Sequence, residues 1–565
     1  MNRKFNAIVK RISKSYPSLQ FEDKEDCIRL SGVLDSPLDV VKAGVLASKR
    51  GYKGVLNDIR IKGEEIKWVE PTVHSNELDG ASPSVLIIGG GLLGLNIARE
   101  LARYNVKVMI VEKNSDFAMG MSGRMDGNVS ADLFLKPESA EWYYSAKGYQ
   151  MMPRLAKDLS VPFIKRGQLI LFSRPSHIFA VPSLKHKAKR QEIFGTKYLN
   201  KSALRKLEPN VPVWAKGALL IPNSGIVDPV ALTVALAEHL ADNGVRIELN
   251  TTVEGMLVEG GWIKEVYTSR GTITPQIVVN AAGVFSDFIA EMAKDRDFSI
   301  LPVKENYMIL APERPITREI SRFSIRHRPE RIKISATVDG KVIVKSLLQG
   351  APRREDYSTD ENSTSRLFED SKAYLKGVTT RDVVSYFSSV VGHTYEDKLI
   401  VRRGNYTKNI IEIIGVKEFA LTAFPAIAVD VSDIAITMLD GAKENFDFNA
   451  KREKPFKVKN TPSDVLDEKI HSNPAYGEII CRCQMISKGE IIDLLSRCDR
   501  EGVRLDTISG VKKRLGAGKG RCKGVHCSVK IAEAIAEYYD VPIEDVYEKR
   551  PGGVILFDDG KGGDL

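Results

Sequence analysis

Residues 84–113, SVLIIGGGLLGLNIARELARYNVKVMIVEK, constrain the fold more than any other stretch of the chain. Residues 84–88 are an apolar run of strand length that empties into Gly89, Gly91 and Gly94, a G-x-G-x-x-G loop. Apolar side chains then recur at helical spacing over residues 92–104, residues 106–111 read as a second strand, and Glu112 stands at its end. This is a complete β-α-β dinucleotide fingerprint. The first glycine permits a tight turn, the second lets backbone amides approach a pyrophosphate, and the third lets the helix pack closely on its strand. Leu92 and Leu93 open the helix, whose N-terminal amides and positive dipole end suit phosphates. Glu112 is placed to accept hydrogen bonds from an adenosine ribose, with Lys113 beside it.

At 565 residues the chain exceeds what one hydrophobic core organises, so two to four domains are expected. The formal charge of +10 is spread, with Lys and Arg interleaved among Asp and Glu. That describes a solvated surface, and no nucleic-acid module accompanies it, so nucleic acid is not an expected partner. No apolar run approaches the ~18 residues that span a bilayer. The basic N-terminus, MNRKFNAIVKRISKSY, lacks the apolar core of a secretory signal. A cytoplasmic protein is expected, with a basic surface that suits an acidic partner or peripheral attachment to the inner face of a membrane.

Residues 1–62 read as a small α+β unit in the order helix, strand, strand, helix, strand. Its SGVLDSPLDVVKAGVLASKRGYKGVLNDIRI resembles the BON domain, which implies an appended docking or stabilising module without chemistry. Cys27 is expected to be a small buried hydrophobe in a strand. Residues 63–83 form a polar connector. After Glu112, DFAMGMSGRMDGNVSA gathers Gly120, Ser122, Gly123, Arg124 and Gly127 into a loop rich in amide donors. Such a loop can wrap a second stretch of cofactor, which favours FAD over NAD. The β-rich RGQLILFSR and GALLIPNSGIVDP lead to a helix from Pro229 to Asn243. VRIELNTTVEGMLVEGG follows, with Val253 where the chain passes the adenine. QIVVNAAGVFSDFIAEMA ends a strand in Ala281, Ala282 and Gly283, small enough for backbone to approach a dinucleotide. This discontinuous order predicts two interleaved domains over residues 84–440, one α/β and one β-rich.

Together with the later IIEIIGVKEFALTAFPAIA, these motifs resemble the FAD-dependent glycerol-3-phosphate dehydrogenase and D-amino-acid oxidase (DAO) superfamily. The resemblance implies a Rossmann-like FAD-binding domain and a β-rich substrate domain, with the flavin at their boundary taking hydride from an alcohol- or amine-bearing carbon. It assigns Glu112 to the ribose, residues 89–94 to the pyrophosphate, residues 122–124 to the phosphates and ribityl chain, and residues 415–422, beginning at Gly415, to the flavin pyrimidine edge. The chain also departs from the pattern. Relatives that oxidise glycerol 3-phosphate often read G-R-N-H-G where this chain has Gly123, Arg124, Met125, Asp126 and Gly127. They commonly carry G-x-R-P near His393, and S-P-G-L-T where this chain has Glu418, Phe419, Ala420, Leu421 and Thr422. A missing arginine removes a bidentate phosphate ligand. His393 then becomes a candidate base for a hydroxyl proton, the alternative being a hydrogen-bonded loop histidine. Lys417 becomes a candidate stabiliser of reduced flavin or ligand of a substrate anion, the alternative being a surface lysine. Arg402 and Arg403 could restore an anion site.

Residues 441–477 are polar and charged and read as a linker or extended strap. GEIICRCQMISKGEIIDLL and LGAGKGRCKGVHCSVKIAEAIAEYY then set Cys481, Cys483, Cys522 and Cys527 on two loops, each entering a helix. Helix N-termini favour thiolates, and four thiolates alone fit zinc or iron and sulfur. The C-x-C and GRCKGVHC resemble the bacterioferritin-associated ferredoxin-like (BFD-like) 2Fe-2S domain, in the variant fused to anaerobic glycerol-3-phosphate dehydrogenase large subunits and related amino-acid dehydrogenases. That implies a 2Fe-2S cluster in a small helical domain over residues 478–545, with Cys498 as packing and residues 546–565 a poorly ordered tail.

The expected function is an FAD-dependent dehydrogenase of a small polyol phosphate, resembling glycerol 3-phosphate. Electrons would pass through the cluster to a partner protein or quinone-linked subunit, in an oligomer or hetero-complex. The alternatives are the same chemistry on a 2-hydroxy acid or amino acid, and an FAD and 2Fe-2S electron-transfer subunit without a substrate of its own.

Overall fold

A computed structural model describes residues 3–548 apart from 25, 49–51, 64–70, 72, 131, 323–331, 347–348, 351–352, 418, 501 and 521. Glu418, much of the connector and the tail beyond 548 therefore lie outside the described residues. The chain divides into two compact units, residues 1–233 with 245–448, and residues 234–244 with 449–565.

The first unit is built on a six-stranded sheet. Val85–Ile88, buried at all four positions, lies between Val108–Val111 and Ile277–Asn280 and runs parallel to both. Strands covered on both faces are apolar throughout rather than alternating, which explains their unbroken hydrophobic runs. Arg246–Glu248 and Ile410–Ile414 extend the parallel set, and Ile400–Arg403 pairs antiparallel at one edge.

A nine-stranded sheet takes its strands from between those returns, with Gln168–Phe172, Gly217–Ile221, Ile300–Leu310, Glu319–Arg322, Ile332–Ala336, Val342–Ser346 and Val383–Thr394 among them. Side chains alternate between its faces. Leu169, Leu171, Ala218, Met308, Leu310, Ile320, Ile332, Ile334, Val342 and Val344 form a core on one face. The register puts Gln168 opposite Glu319, Lys333 opposite Lys345 and Lys345 opposite Tyr307. The other face therefore carries these charged and polar groups among apolar neighbours such as Ile170 and Ile343.

The helix Ala420–Met438 is long and apolar enough to cross a membrane by length and composition, although the sequence shows no such run at first sight. Asp430 and Asp433 interrupt it. Of its apolar window 61% is buried, and it packs on the helices Ala140–Asp158 and Leu92–Leu101, so it serves as a core helix.

The N-terminal elements follow the expected order, namely the helix Arg3–Ser13, the strands Gln20–Lys24 and Cys27–Leu34, the helix Pro37–Ser48 and the strand Gly54–Ile61. Their core of Ile8, Ile12, Ile28, Leu30, Ala43 and Val55 also takes in Tyr395, from far along the chain.

In the second unit, the helices Lys488–Arg500, Ile508–Leu515 and Ser528–Tyr539 pack around Ile491, Leu494, Ile508, Val511, Ile531 and Ile535. Cys498 is buried there, as expected of a packing residue. Within residues 441–477, expected to be a linker or extended strap, residues 463–472 form a helix that fully buries none of its residues. Residues 449–452 are strapped to residues 234–244, with Arg452 paired to Glu238 and the Asn449 carbonyl 2.8 Å from His239 Nε2.

Candidate cofactor and catalytic sites

The glycine loop has the geometry its sequence demands. Gly89 adopts φ +116°, and a Cβ there would meet the Ala281 carbonyl oxygen at 2.5 Å; one on Gly94 would meet the Gly89 oxygen at 2.0 Å. Neither position accepts a side chain. Glu112 sits under the loop, its Oε2 accepting from Gly90 N–H at 2.8 Å and its Oε1 from Asn114 N–H at 3.0 Å. A cavity of about 510 Å³ opens beside it, lined by Gly89, Glu112, Lys113, Val253, Ala282 and Phe285 among others. Largely apolar walls with Glu112 and Glu254 among them suit the adenosine half of a dinucleotide. Lys113 is held at the wall by Glu355 and lies 4.9 Å from the Phe285 ring centroid. Gly283 starts the turn that leads to Phe285.

The loop after Glu112 closes on the same helix N-terminus. Ser122 Oγ accepts from Leu92 N–H at 3.0 Å and stands 3.1 Å from a Cβ built on Gly91, while Leu93 is partly exposed. Gly123 is enclosed by the Ala118 carbonyl and Gly127 by that of Val227. Arg124 donates to the Met119 carbonyl and stacks 4.3 Å over Tyr357, and burial lowers its pKa.

His393 and Lys417, one at the end of a strand and the other past Gly415, meet through a residue the sequence did not single out. His393 is buried with Nδ1 3.7 Å from Asp397 Oδ1. Lys417 pairs with the same carboxylate, donates to the Asp397 carbonyl at 2.6 Å and lies 3.9 Å from Glu141, so it is not a surface lysine. Asp397 is held below the usual carboxylate range, first by its hydrogen bond to His393 and then by Lys417, against burial. Gly415 packs on the Lys398 carbonyl, at the foot of this turn. Arg402 supplies no open anion site, since it is spent on Asp297 at 2.5 Å and Glu412 at 2.9 Å. Arg403 follows in the same edge strand, its side chain exposed.

A second charged group lies on the polar face of the nine-stranded sheet and was missed in the sequence. Glu319 accepts from Gln168 Nε2 at 3.2 Å, and burial pushes its carboxyl up to about 7, against Lys333. Lys345 pairs with Glu305 at 2.8 Å, and Ser335 accepts from Asn128 at 2.8 Å. The usable signal was alternation, as in IKISA, where Lys333 and Ser335 stand at every second position of a short strand. His393 shares this face by register, opposite Leu301, but is six residues along from Tyr307, about 20 Å at ~3.3 Å per residue. One small substrate does not span both groups.

In the second unit, Cys481 and Cys483 are 3.7 Å apart at sulfur. Burial and then Cys481 raise the Cys527 thiol to about 11, and burial and then Cys481, with Cys522 beyond it, raise Cys483. Backbone hydrogen bonds at Gly524 and His526 lower Cys522. Neighbouring sulfurs thus raise the Cys483 and Cys527 thiols, and ligation to a cationic iron centre would relieve that opposition.

Comparison with known proteins agrees with this layout. The family described as FAD dependent oxidoreductase (DAO) matches residues 84–434, and the BFD-like 2Fe-2S binding domain matches residues 479–537. A glycerol 3-phosphate dehydrogenase of Caloramator mitchellensis is 27% identical over 477 residues, 84% of this chain and 98% of that protein. The anaerobic glycerol-3-phosphate dehydrogenase subunit A1 of Haloferax volcanii is 24% identical, over 83% of this chain and 86% of its own length. Among solved structures, the FAD-bound L-α-glycerophosphate oxidase of Mycoplasma pneumoniae is similar with a TM-score of 0.61 at 23% identity, covering 66% of this chain and 99% of that one.

Proposed function

The chain belongs to the DAO family of FAD-dependent oxidoreductases, and on that premise we propose that it is a dehydrogenase of a small polyol phosphate resembling glycerol 3-phosphate, delivering electrons through its cluster to a partner protein or quinone-linked subunit. Its cofactors are FAD and a 2Fe-2S cluster. One observation carries the reading: both cofactor domains stand in one chain that is similar along most of its length to two glycerol 3-phosphate dehydrogenases. One of these is by name a subunit, which supports assembly in a hetero-complex. Residues 84–440 as the interleaved oxidoreductase and 478–545 as the cluster domain are part of the same proposal.

When bound, FAD takes a hydride from the substrate carbon and the cluster takes electrons singly. Glu112 receives the ribose hydroxyls, Gly89, Gly91, Leu92, Leu93 and Gly94 face the pyrophosphate, and Lys113, Val253, Ala282 and Gly283 wall the adenosine. Ser122, Gly123, Arg124 and Gly127 shape the loop over the phosphates, and Gly415 admits the flavin edge. His393 accepts the hydroxyl proton while Asp397 holds its ring, and Lys417 supplies a positive charge that Asp397 and Glu141 orient. Cys481, Cys483, Cys522 and Cys527 ligate the cluster.

A 2-hydroxy acid or amino acid is the second reading. Lys417 already faces the Asp397 carboxylate, so its remaining positive charge suits a singly charged carboxylate better than a phosphate dianion. Anaerobic titration with sn-glycerol 3-phosphate decides between them, with flavin absorbance and the electron paramagnetic resonance of the cluster followed together. Flavin bleaching followed by a reduced-cluster signal is expected. No bleaching, in a sample that dithionite still reduces, overturns the phosphate substrate and moves the search to hydroxy acids and amino acids.

A further inference from the structure

We infer that the N-terminal module is a clamp on the catalytic turn, with Asn57 and Tyr395 as the positioning residues that hold His393, Asp397 and Lys417 in place. The inference rests on the reading of His393 and Lys417 given above.

The module grips both strands of the ribbon that ends in His393. One grip is on residues 296–299, which lead into the strand Ile300–Leu310. Cys27 Sγ donates to the Asp297 carbonyl at 3.0 Å, Ser299 Oγ accepts from Asn57 N–H at 2.9 Å, and Arg296 pairs with Asp58 at 2.8 Å. The other grip is on the turn directly after His393. Tyr395 is buried in the module's own hydrophobic core, and its hydroxyl accepts from Asn57 Nδ2 at 2.7 Å. A Cβ on Gly44 would overlap the Tyr395 ring at 2.2 Å, so the ring lies flush on the helix Pro37–Ser48. Leu301 and His393 face each other across the gripped ribbon. Asn57 binds both grips, one through its backbone and one through its side chain.

Such support has work to do. Asp397, which faces both His393 and Lys417, sits at φ +59°, a left-handed conformation that persists when surrounding structure holds it. A turn freed of Tyr395 would let that carboxylate leave His393 and Lys417. The charge beside the expected flavin edge would then change.

The test uses the full-length holoenzyme and needs no substrate. The flavin midpoint potential is measured by dye-equilibrated reductive titration in the wild type, Asn57→Ala, Tyr395→Phe, Lys417→Met and, as a control elsewhere on the module, Lys42→Ala. Thermal midpoint and FAD content are recorded for each, and Tyr395→Phe removes the hydroxyl while keeping the packed ring. Lys417→Met is expected to weaken the reduced flavin about tenfold, about 30 mV for a two-electron couple. Asn57→Ala and Tyr395→Phe should move the potential in the same direction at full FAD content, with Lys42→Ala unchanged. If Lys417→Met shifts the potential and neither Asn57→Ala nor Tyr395→Phe does, the clamp is refuted and the site stands. If Lys417→Met leaves the potential unchanged, the reading of the site falls and the clamp with it.

Discussion

Replacing Glu319 with glutamine should make the protein more stable, and more so as the pH rises. Glu319 is 6% exposed and its carboxyl accepts a hydrogen bond from Gln168, and burial raises its pKa from 4.5 to about 7, with Lys333 and a hydrogen bond from Ser130 opposing and Asp126 reinforcing the rise. A carboxyl whose pKa rises on folding stays protonated in the native state at pH values where the unfolded chain has released its proton. Its contribution to stability is therefore greatest below 4.5 and is lost as the pH climbs to about 7. At ~1.4 kcal/mol per pH unit the whole loss is about 3 kcal/mol, of which about 2 kcal/mol or slightly more falls between about pH 5 and about pH 8. Glu319→Gln keeps the shape and a carbonyl oxygen for Gln168 but does not ionise. Because a chain of this length need not unfold in one step, the appropriate assay is hydrogen exchange in the peptides covering residues 166–172 and 317–322, corrected for intrinsic rate. The opening free energy of the variant should gain on the wild type by about 2 kcal/mol across that pH range. A gap between the two proteins that is the same at both pH values would refute the argument, and so would a wild type that grows more stable as the pH rises.

Two further substitutions probe other parts of the molecule. Cys483→Ser, at the exposed sulfur of the quartet, should abolish the reduced-cluster signal and the acid-labile sulfide while leaving FAD bound; a variant with wild-type iron and sulfide content would remove Cys483 from the ligand set. Arg402→Met removes the cation from Asp297 and from the buried Glu412, whose carboxyl burial pushes up to about 8 against Arg402, so the variant should lose stability, and lose more as the pH rises. A denaturation midpoint equal to the wild type's would show that those carboxyls are neutral in the fold.

The parts of this molecule legible in its sequence are those whose signal is local. The strand, glycine loop, helix and second strand of residues 84–113 are contiguous, and each glycine has a steric reason within a few residues of itself or one strand away. The four cysteines likewise lie in two short loops. The charged face of the nine-stranded sheet was illegible for the opposite reason. Gln168, Glu305, Glu319, Lys333 and Lys345 come from five strands, and only the pairing register brings them level. His393 and Lys417 could be named singly, but the carboxylate that joins them could not, because Asp397 lies on a turn whose shape is set by contacts with residues 44 and 57. The helix at 463–472 left no apolar stripe to read because it fully buries none of its residues, and the helix at 420–438 hid its length behind two aspartates. Cys27 carries the same lesson at the scale of one atom. Burial in a strand could be read from its neighbours, yet its thiol is also a donor to the Asp297 carbonyl, 270 residues away. A small module recognised only by its order of elements thus reveals where it sits on the rest of the chain through polar atoms that its own core leaves over.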